Sequence, residues 1–356
     1  MKKLFVVLLF LFYSASICQN AFYELNTSRY ARVVSLGNAF TGLADDIEAV
    51  YYNSAGLANL DYYSFTYSKG NGFAFVIEDY ISDNFALLLP TFQKIGKFAF
   101  SVDRQKFDDI DMGYNLFRLH YARSILANFA LGTSLNYYYF SASSYSTVSN
   151  PSGVYEDLNG NAFDMSISAL YNLLFDSLPM ISNQTRFGVQ LQNVFDTDLH
   201  YTNDLDSAPK HQSLRFGIST SITPKIKKIY NLTPFKIIGI FDAVFYGSRY
   251  KFDRWQPNFG IELVLFDIVS LRYGRENEEV ITETYSYSPQ HPVKRYGVGL
   301  SIPLDKFLST YDRIELSVDY SYSDWDKLDE TKPMINFFSN DLPKRESLGI
   351  KLSFNL

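Results

Sequence analysis

The residue types that usually bind metals or carry catalysis are present in this sequence, but their spacing favours neither role. No two histidines have the i, i+4 spacing that a pair of zinc ligands on one helix needs. The four are His120, His200, His211 and His291. The stretch "DLNGNAFD" (Asp157 to Asp164) resembles a calcium loop but lacks the glycine at the sixth position and the distal glutamate. We therefore predict no metal site and no cofactor.

A hydrolytic site would need a base beside a nucleophile or an activated water. Both signs of charge fall on strand positions that would share one interior. The acids are Asp164, Asp242, Glu262, Glu315 and Asp319, and the bases are Arg186, Arg215, Arg295 and Lys351. A filled barrel uses such a mixed interior to satisfy its inner polar groups. We predict that the protein is not an enzyme, and that "GVG" at Gly297 is a packing feature.

The composition indicates a large apolar surface and argues against one class of partner. The chain has 356 residues, of which 47% are hydrophobic, with 28 tyrosines and 31 phenylalanines. Tyrosine suits places where an apolar wall meets water. The formal net charge of -6 gives no support to nucleic-acid binding, which needs a basic patch.

The N-terminus reads as a secretory signal peptide over residues 1–18. Two lysines precede the apolar run from Leu4 to Phe12, and Ser16 and Cys18 are the small residues before a cut. A lipoprotein anchored through Cys18 is the alternative. Because Cys18 is the one cysteine, the exported chain has no disulfide framework and no thiolate metal site.

From Tyr62 onward apolar and polar residues alternate one by one, as they do in strands with one dry and one wet face. The last residues, "LGIKLSFNL", alternate without a break. The pattern predicts fourteen strands, and bacterial barrels have an even number. They lie near 62–69, 84–91, 95–103, 113–123, 129–140, 162–173, 185–193, 212–222, 234–246, 257–266, 268–274, 293–302, 312–322 and 346–356.

The connections between these strands distinguish a barrel from a soluble sandwich, whose strands alternate in the same way. Short connections such as "TFQ" and the turn at Phe266-Asp267 alternate with long polar ones such as Ser141 to Asn161 and Gly247 to Gln256. Outer-membrane barrels have short periplasmic turns and long outer loops. A spanning chain without apolar helices must also close into a barrel. We predict an all-β fold, a transmembrane antiparallel β-barrel over residues 62–356, in the bacterial outer membrane, with residues 73–78 in a loop.

The stretch "LGNAFTGLADDIEAVYYNSAGLANL" (Leu36 to Leu60) does not alternate. Nearby apolar residues recur at the three- and four-residue spacings of a helix face. They are Ala31, Val34, Leu36, Ala39 and Leu43. Asp45 and Asp46 suit the start of a second helical turn, and small side chains suit packing inside a barrel. We predict a short helical hatch over residues 19–61 in the lumen, with a periplasmic arm as the alternative.

Several pieces of the chain together resemble one known family. They are "ARVVSLGNAFTGLADDIEAVYYNSAGLANL", "LHYARS" before "LGTSLNYYY", "RFGVQLQNVFD", "SLRFGIS", "GIELVLFDIVSLRYG" and "LSVDYSYSDWDKL". In their order and spacing they resemble the PorV/PorQ family, within the larger group of FadL-like outer-membrane barrels. The resemblance covers most of the mature chain, and it implies a fourteen-stranded barrel with a lumenal hatch.

The resemblance also implies a set of gate residues. In the family, the end of the hatch commonly carries Asn-Pro-Ala followed by glycine. Here the four positions read Asn53, Ser54, Ala55 and Gly56, and serine lacks the fixed φ of proline. These are the candidate hatch or gate residues, and the alternative is that Asn53 only caps a turn.

Two functions follow from the resemblance. The PorV/PorQ family implies an accessory or interaction role in type IX protein secretion, with secretion-machinery proteins or exported cargo domains as partners. FadL-like barrels imply the alternative, which is passive transport of small hydrophobic compounds such as fatty acids. Outer-membrane lipid is a partner in both.

Overall fold

The computed structural model describes residues 30–74, 77–90, 95–107, 112–145, 156–175, 180–201, 212–226, 231–248, 251–278, 291–308, 313–325 and 345–355. The predicted signal peptide and the start of the predicted hatch, to residue 29, lie outside these residues. Among the described helices, none combines the length and the apolar character needed to cross a membrane.

The described chain is dominated by one antiparallel sheet. Its strands are β1 (Tyr63–Ala74), β2 (Ile77–Leu89), β3 (Lys97–Phe107), β4 (Met112–Leu126), β5 (Phe129–Tyr145), β6 (Glu156–Phe175), β7 (Ile181–Gln192), β8 (His200–Tyr201), β9 (Gln212–Pro224), β10 (Phe235–Ser248), β11 (Lys251–Leu265), β12 (Val269–Glu278), β13 (His291–Pro303), β14 (Ile314–Trp325) and β15 (Arg345–Phe354). Each barrel strand pairs with its neighbours in sequence, β7 pairs with β9, and β1 pairs with β15. Fourteen strands, all except the short β8, therefore close into the predicted barrel.

The outer surface of the barrel is apolar because every second side chain points outward. On β13, Val298 and Leu300 are 45% and 48% exposed. On β14, Val318 is exposed, whereas Ser317 and Asp319 on either side of it are buried. Apolar side chains facing outward all around a closed sheet suit lipid, and the chain is an outer-membrane barrel.

Some strands extend further than predicted. Residues 73–78, predicted as a loop, instead contain the end of β1 and the start of β2. The predicted loop from Gly247 to Gln256 is also wrong, because β10 and β11 form a tight hairpin there. Proline cannot donate to a ladder and usually marks a strand end, but Pro257 pairs with Ala243 inside this one. The predicted turn at Phe266-Asp267 is confirmed, with φ of 54° and 53°.

The hatch is less helical than predicted. It contains α1 (Ala31–Ser35), α2 (Ala49–Tyr52) and a 3-10 helix, η1 (Ser54–Asn59); a further helix, α3 (Leu304–Leu308), follows β13. The predicted helix face continues past α1 into turns, because the chain bends at Gly37 and Asn38, with φ of 65° and 57°. Asp45 and Asp46 precede α2 rather than starting it.

The main apolar core lies inside the barrel. It joins hatch side chains to inward-facing wall residues near the rim where β1 begins and β15 ends. The hatch contributes, among others, Val33, Phe40, Leu43, Ile47 and Leu57, and the wall contributes Ala86, Leu88, Ala99, Ala122, Ala130, Leu170, Ile238 and Ile240. We take this rim as periplasmic, because the longest connections in the chain, such as the one between β14 and β15, leave the opposite rim, and the long loops of a bacterial barrel lie outside.

Candidate functional site: the lumenal hatch and the adjacent wall

Residues 30–60 run around the inner wall of the barrel, and nearly all of them are buried. The hatch fits because wall glycines face it. A Cβ at Gly188 would lie 1.9 Å from the Thr41 carbonyl oxygen, and one at Gly132 would lie 2.3 Å from the Ala55 nitrogen. The glycines that touch the hatch in this way are Gly132, Gly188, Gly217, Gly260, Gly274 and Gly297. Any side chain at these positions would push the hatch off the wall.

The first part of the hatch is held by buried ion pairs. Arg32 Nη1 donates to Asp45 Oδ1 and to Asp46 Oδ2, both at 2.7 Å. Its Nη2 donates to Glu262 Oε2 on β11, also at 2.7 Å. One guanidinium therefore ties two turns of the hatch to the wall.

The ion pairs continue along the wall strands. Arg272 binds Glu262 and Asp319, each at 2.6 Å. Lys351 Nζ on β15 lies 2.5 Å from Asp46 Oδ2. Burial alone would raise the pKa of Asp46, but Lys351 and Arg32 lower it to about 2. This carboxylate therefore stays ionised and keeps both cations bound.

Glu48 is the exception within this charged region. Its side chain is buried, and its Oε2 has no hydrogen-bond partner among the residues that the structure describes. Burial, together with the neighbouring Asp46 carboxylate, raises the pKa of Glu48 to about 8. Glu48 therefore carries a proton at neutral pH, which avoids a further negative charge beside Asp46.

Two more charged wall groups bind the hatch backbone. Asp242 Oδ2 accepts the N–H groups of Phe40 and Thr41, both at 2.9 Å. Arg186 Nη1 donates to the Leu43 carbonyl at 2.6 Å. We call residues 31–48 the anchored half of the hatch, because wall charges hold it along its length.

The candidate gate residues lie in the second part of the hatch, and each has a distinct contact. Asn53 Oδ1 accepts the Ala55 N–H, which caps η1, while its Nδ2 donates to Thr41 O and to Ala169 O on β6. Ser54 Oγ lies 3.0 Å from His120 Nδ1. A Cβ at Gly56 would lie 2.2 Å from Ala44 O. Asn53 is thus more than a turn cap, and Ser54 makes a contact that proline could not make.

Further neutral hydrogen bonds hold this part, and Arg215 on β9 also lies over the Tyr52 ring, 5.4 Å from its centroid. The Ala55 N–H donates to Ser168 Oγ at 3.0 Å, and Gln190 and Gln192 donate to the Tyr51 carbonyl. Arg118 stacks on the Tyr51 ring, 4.3 Å from its centroid, but its ion pair is with Asp103 in the wall. We call residues 51–59 the neutral half; its η1 packs on β3, β4, β5 and β6.

The two halves differ in what their release from the wall would cost. A neutral hydrogen bond contributes about 0.5–1.5 kcal/mol, and water can replace it. Removing one partner from a buried ion pair costs about 3–5 kcal/mol, because the other charge stays buried. The neutral half is therefore the part that can leave the wall at lower cost.

Beside the neutral half the wall itself is interrupted. Ile167 of β6 pairs with Leu191 of β7, and Asn161 of β6 pairs with His200 of β8. Between these pairs β6 has five residues, 162–166, whereas its neighbour has eight, 192–199. The neighbour thus carries three residues more than a regular antiparallel ladder accommodates.

The extra residues form a compact loop in the wall. Asn193 has a φ of 54°, and its Oδ1 accepts the Thr197 N–H at 3.0 Å. Phe163 and Phe195 beside the loop are 54% and 58% exposed. Because Gln192 binds Tyr51 O, the interruption lies immediately on the outer side of the hatch. The wall is therefore irregular beside the hatch.

The residues considered for catalysis have structural partners. Glu262 and Asp319 lie in the ion-pair network, and Asp242 binds the hatch. Asp157 to Asp164 lies within β6 rather than in a calcium loop. Of the histidines, His120 is buried, His200 is exposed, and His211 lies outside the described residues. No group of three metal-binding side chains occurs among the residues that the structure describes.

Sequence reasoning missed the residues that hold the hatch, although one signal was present. Arg32 lies in an apolar stretch, where nothing in the spacing identifies Glu262 as its partner 230 positions away. The sequence places His120 in a predicted strand but does not identify its contacts with Ser54 and Ser101. The wall glycines were a usable signal, since they recur at inward positions of several strands. A strand glycine often marks a place where another backbone approaches closely.

Comparisons with known proteins give fold-level similarity only. No protein-family model and no curated protein matches the chain. A FadL homologue from Pseudomonas aeruginosa is 9% identical, with 92% of this chain and 98% of that one covered and a TM-score of 0.46. The Ralstonia pickettii toluene transporter TbuX is 9% identical (94% and 99% covered, TM-score 0.44). The Pseudomonas putida toluene transporter TodX is 8% identical (96% and 99% covered, TM-score 0.43).

Identities and TM-scores this low do not assign a function. None of these structures supports the PorV/PorQ resemblance specifically. The closed ladder and the apolar outer surface carry the conclusion independently. The chain is a fourteen-stranded antiparallel β-barrel of the bacterial outer membrane.

Proposed function

We propose that this barrel is a passive channel for small hydrophobic compounds across the outer membrane. The observation that carries the proposal is the interruption of the wall at residues 192–199, beside the hatch. This function is the alternative that the FadL-like resemblance implied. The accessory role in type IX secretion stays a prediction, since no contact among the described residues favours it.

A hydrophobic solute cannot cross a polar, plugged lumen favourably, because buried polar groups would lose their partners to it. Such groups line the inner wall beside the hatch, including Asp164, Gln190 and Arg215. A solute that enters or leaves through the interruption contacts fewer of these polar groups. The exposed rings of Phe163 and Phe195 give the interruption an apolar outer edge.

The proposal is tested by making the wall regular. Deleting Phe195–Thr197 removes the three excess residues and lets His200 pair with Asn161 in an unbroken ladder. The matched control deletes residues 333–335 from the connection between β14 and β15. Uptake of radiolabelled toluene is measured in cells expressing each form, with heat-modifiability on gels confirming assembly.

We expect the intact protein to take up toluene faster than cells with an empty vector. The wall deletion should abolish this gain, and the control deletion should retain it. Uptake by the intact protein at the empty-vector rate would contradict transport. Full uptake by the assembled wall deletion would contradict the wall as the route.

A further inference from the structure

We propose that the hatch opens on one side only. The neutral half leaves the wall of β3–β6 while the anchored half stays bound, and an apolar passage to the periplasm forms between the neutral half and these strands. The nature of the cargo rests on the proposed function. The place of the opening rests on the contacts of the hatch alone.

The wall contacts of Ser54 and Ala55 form a row across four adjacent strands, β3 to β6. Ser101 on β3 binds His120 Nε2 on β4 at 3.0 Å, and His120 Nδ1 binds Ser54. Gly132 on β5 touches Ala55, and Ser168 on β6 accepts its N–H. Every member of the row is uncharged or can be neutral, so water can replace each contact when this half moves.

Directly beneath that row, towards the periplasm, the same four strands present three alanines and a leucine. The next inward position on each strand is two residues away. These positions are Ala99 on β3, Ala122 on β4, Ala130 on β5 and Leu170 on β6, and all are buried against the hatch. The inward wall residues of β10 in the same core are larger, namely Ile238 and Ile240.

These four wall residues determine which molecules the passage accepts. When the neutral half moves, its Ala55 and Leu57 separate from them, and both sides of the gap are apolar. Such a gap takes up a small uncharged hydrophobic molecule more favourably than an ion or a polar solute. The polar row above the gap holds the hatch closed, and the apolar row below it lines the passage.

The position of the neutral half connects this path to the wall interruption. Asn53 donates to Ala169 O on β6, and Gln192, at the start of the interruption, donates to Tyr51 O. Both attachments belong to the neutral half. A molecule at the interruption therefore lies next to the part of the hatch that opens.

Disulfide trapping tests the one-sided opening in the full-length protein. The predicted mature chain has no cysteine of its own, since Cys18 lies in the predicted signal peptide. Ala55→Cys with Ser168→Cys fixes the neutral half, where the Ala55 nitrogen and Ser168 Oγ are 3.0 Å apart. Ala31→Cys with Gly349→Cys fixes the anchored half; a Cβ at Gly349 would lie 3.4 Å from the Ala31 Cβ, close to the disulfide range of about 3.5–4.5 Å.

Planar-bilayer conductance in KCl and cellular toluene uptake are measured for both pairs, oxidised and then reduced. The oxidised neutral-half disulfide should abolish opening events and toluene uptake, and dithiothreitol should restore both. The oxidised anchored-half disulfide should leave both at the intact level. Equal effects of the two disulfides, or loss with the anchored-half pair alone, would overturn the proposal.

A second pair of variants needs no cross-link. Ser168→Ala and Ser68→Ala each remove one wall hydroxyl that accepts a hatch N–H, on the neutral and the anchored half respectively. Ser168→Ala should raise the frequency of opening, and Ser68→Ala should not; the reverse order overturns the proposal. If conductance follows these expectations but toluene uptake never exceeds the empty-vector rate, the one-sided opening holds and the proposed cargo is wrong.

Discussion

The anchored half and the neutral half of the hatch lie in the same lumen and are both largely buried, yet different forces hold them. Arg32, Asp46 and Glu262 bind the anchored half through charges that have little access to water. The neutral half depends on hydroxyl, imidazole and amide contacts such as Ser54 with His120. Burial alone therefore does not predict which part of a plug can move.

The difference shows how a barrel that is closed by a plug can still open. A buried ion pair cannot open partway without leaving an uncompensated charge, so it acts as a fixed attachment. A row of neutral hydrogen bonds can be exchanged for water one at a time. A plug with one attachment of each kind has a defined side on which to open.

The largest expected effect is the loss of the central cation of the anchored half. Arg32→Met leaves Asp45, Asp46 and Glu262 without one of their partners in the lumen. We expect a loss of about 3–5 kcal/mol in the free energy of unfolding, because the remaining charges stay buried. Urea unfolding of the protein in detergent measures it.

The matched control is Lys306→Met at the periplasmic rim. Lys306 pairs with Asp267, and their side chains are 31% and 24% exposed. An exposed pair of this kind contributes at most about 1 kcal/mol. Equal losses from Arg32→Met and Lys306→Met would show that the anchored half is not held by buried charge.

The next effect depends on pH and comes from Glu48. Its pKa is about 8 in the folded hatch against an ordinary value of 4.5, so the folded state keeps a proton that the unfolded chain releases. Stability is therefore highest below the ordinary value and falls as the pH rises towards 8. Asp46, Asp319, Lys351 and Arg32 all act on this carboxyl group.

Glu48→Gln should remove this fall, because the amide cannot ionise. Unfolding midpoints in urea between about pH 5 and pH 9 measure it. Glu315→Gln, at the periplasmic rim beside Arg313, is the control and should keep the slope of the intact protein. A slope in Glu48→Gln as steep as that of the intact protein would contradict the assignment of the proton to Glu48.

The smallest effect on stability, but a clear one on opening, is expected at His120. His120→Ala removes the links to Ser54 and Ser101, and should raise the frequency of KCl conductance events roughly tenfold, for a loss of about 1.4 kcal/mol. His120→Gln, whose amide can both donate and accept, should restore most of the closure. If both variants conduct alike, His120 fills space and does not latch the hatch.

The barrel itself was predictable from sequence because its determinants are local. Alternation in segments such as "LGIKLSFNL" is read residue by residue, and the lipid face repeats it on every strand. The errors arose at strand ends: the ladder of β10 and β11 runs through Pro257, and β1 and β2 extend into residues 73–78. The buried hatch was also predictable, because small residues interrupt the alternation before the first strand.

The division of the hatch was not predictable, because it depends on pairs far apart in sequence. Arg32 and Glu262 meet only when the barrel closes, and so do Ser54 and His120. The wall interruption was hidden for a similar reason. The residues after Gln192 look like an ordinary loop until the register of β6 with β7 and β8 shows three residues too many.

Hydrogen exchange of the hatch amides tests the central claim most directly, since it needs no substitution and no assumed cargo. The protein in lipid nanodiscs is exposed to deuterated water, and peptides covering residues 31–48 and 51–59 are followed by mass spectrometry. The account predicts that the neutral half exchanges roughly tenfold faster or more, because it opens while the anchored half stays bound. Equal exchange of the two peptides, or faster exchange in residues 31–48, would contradict it.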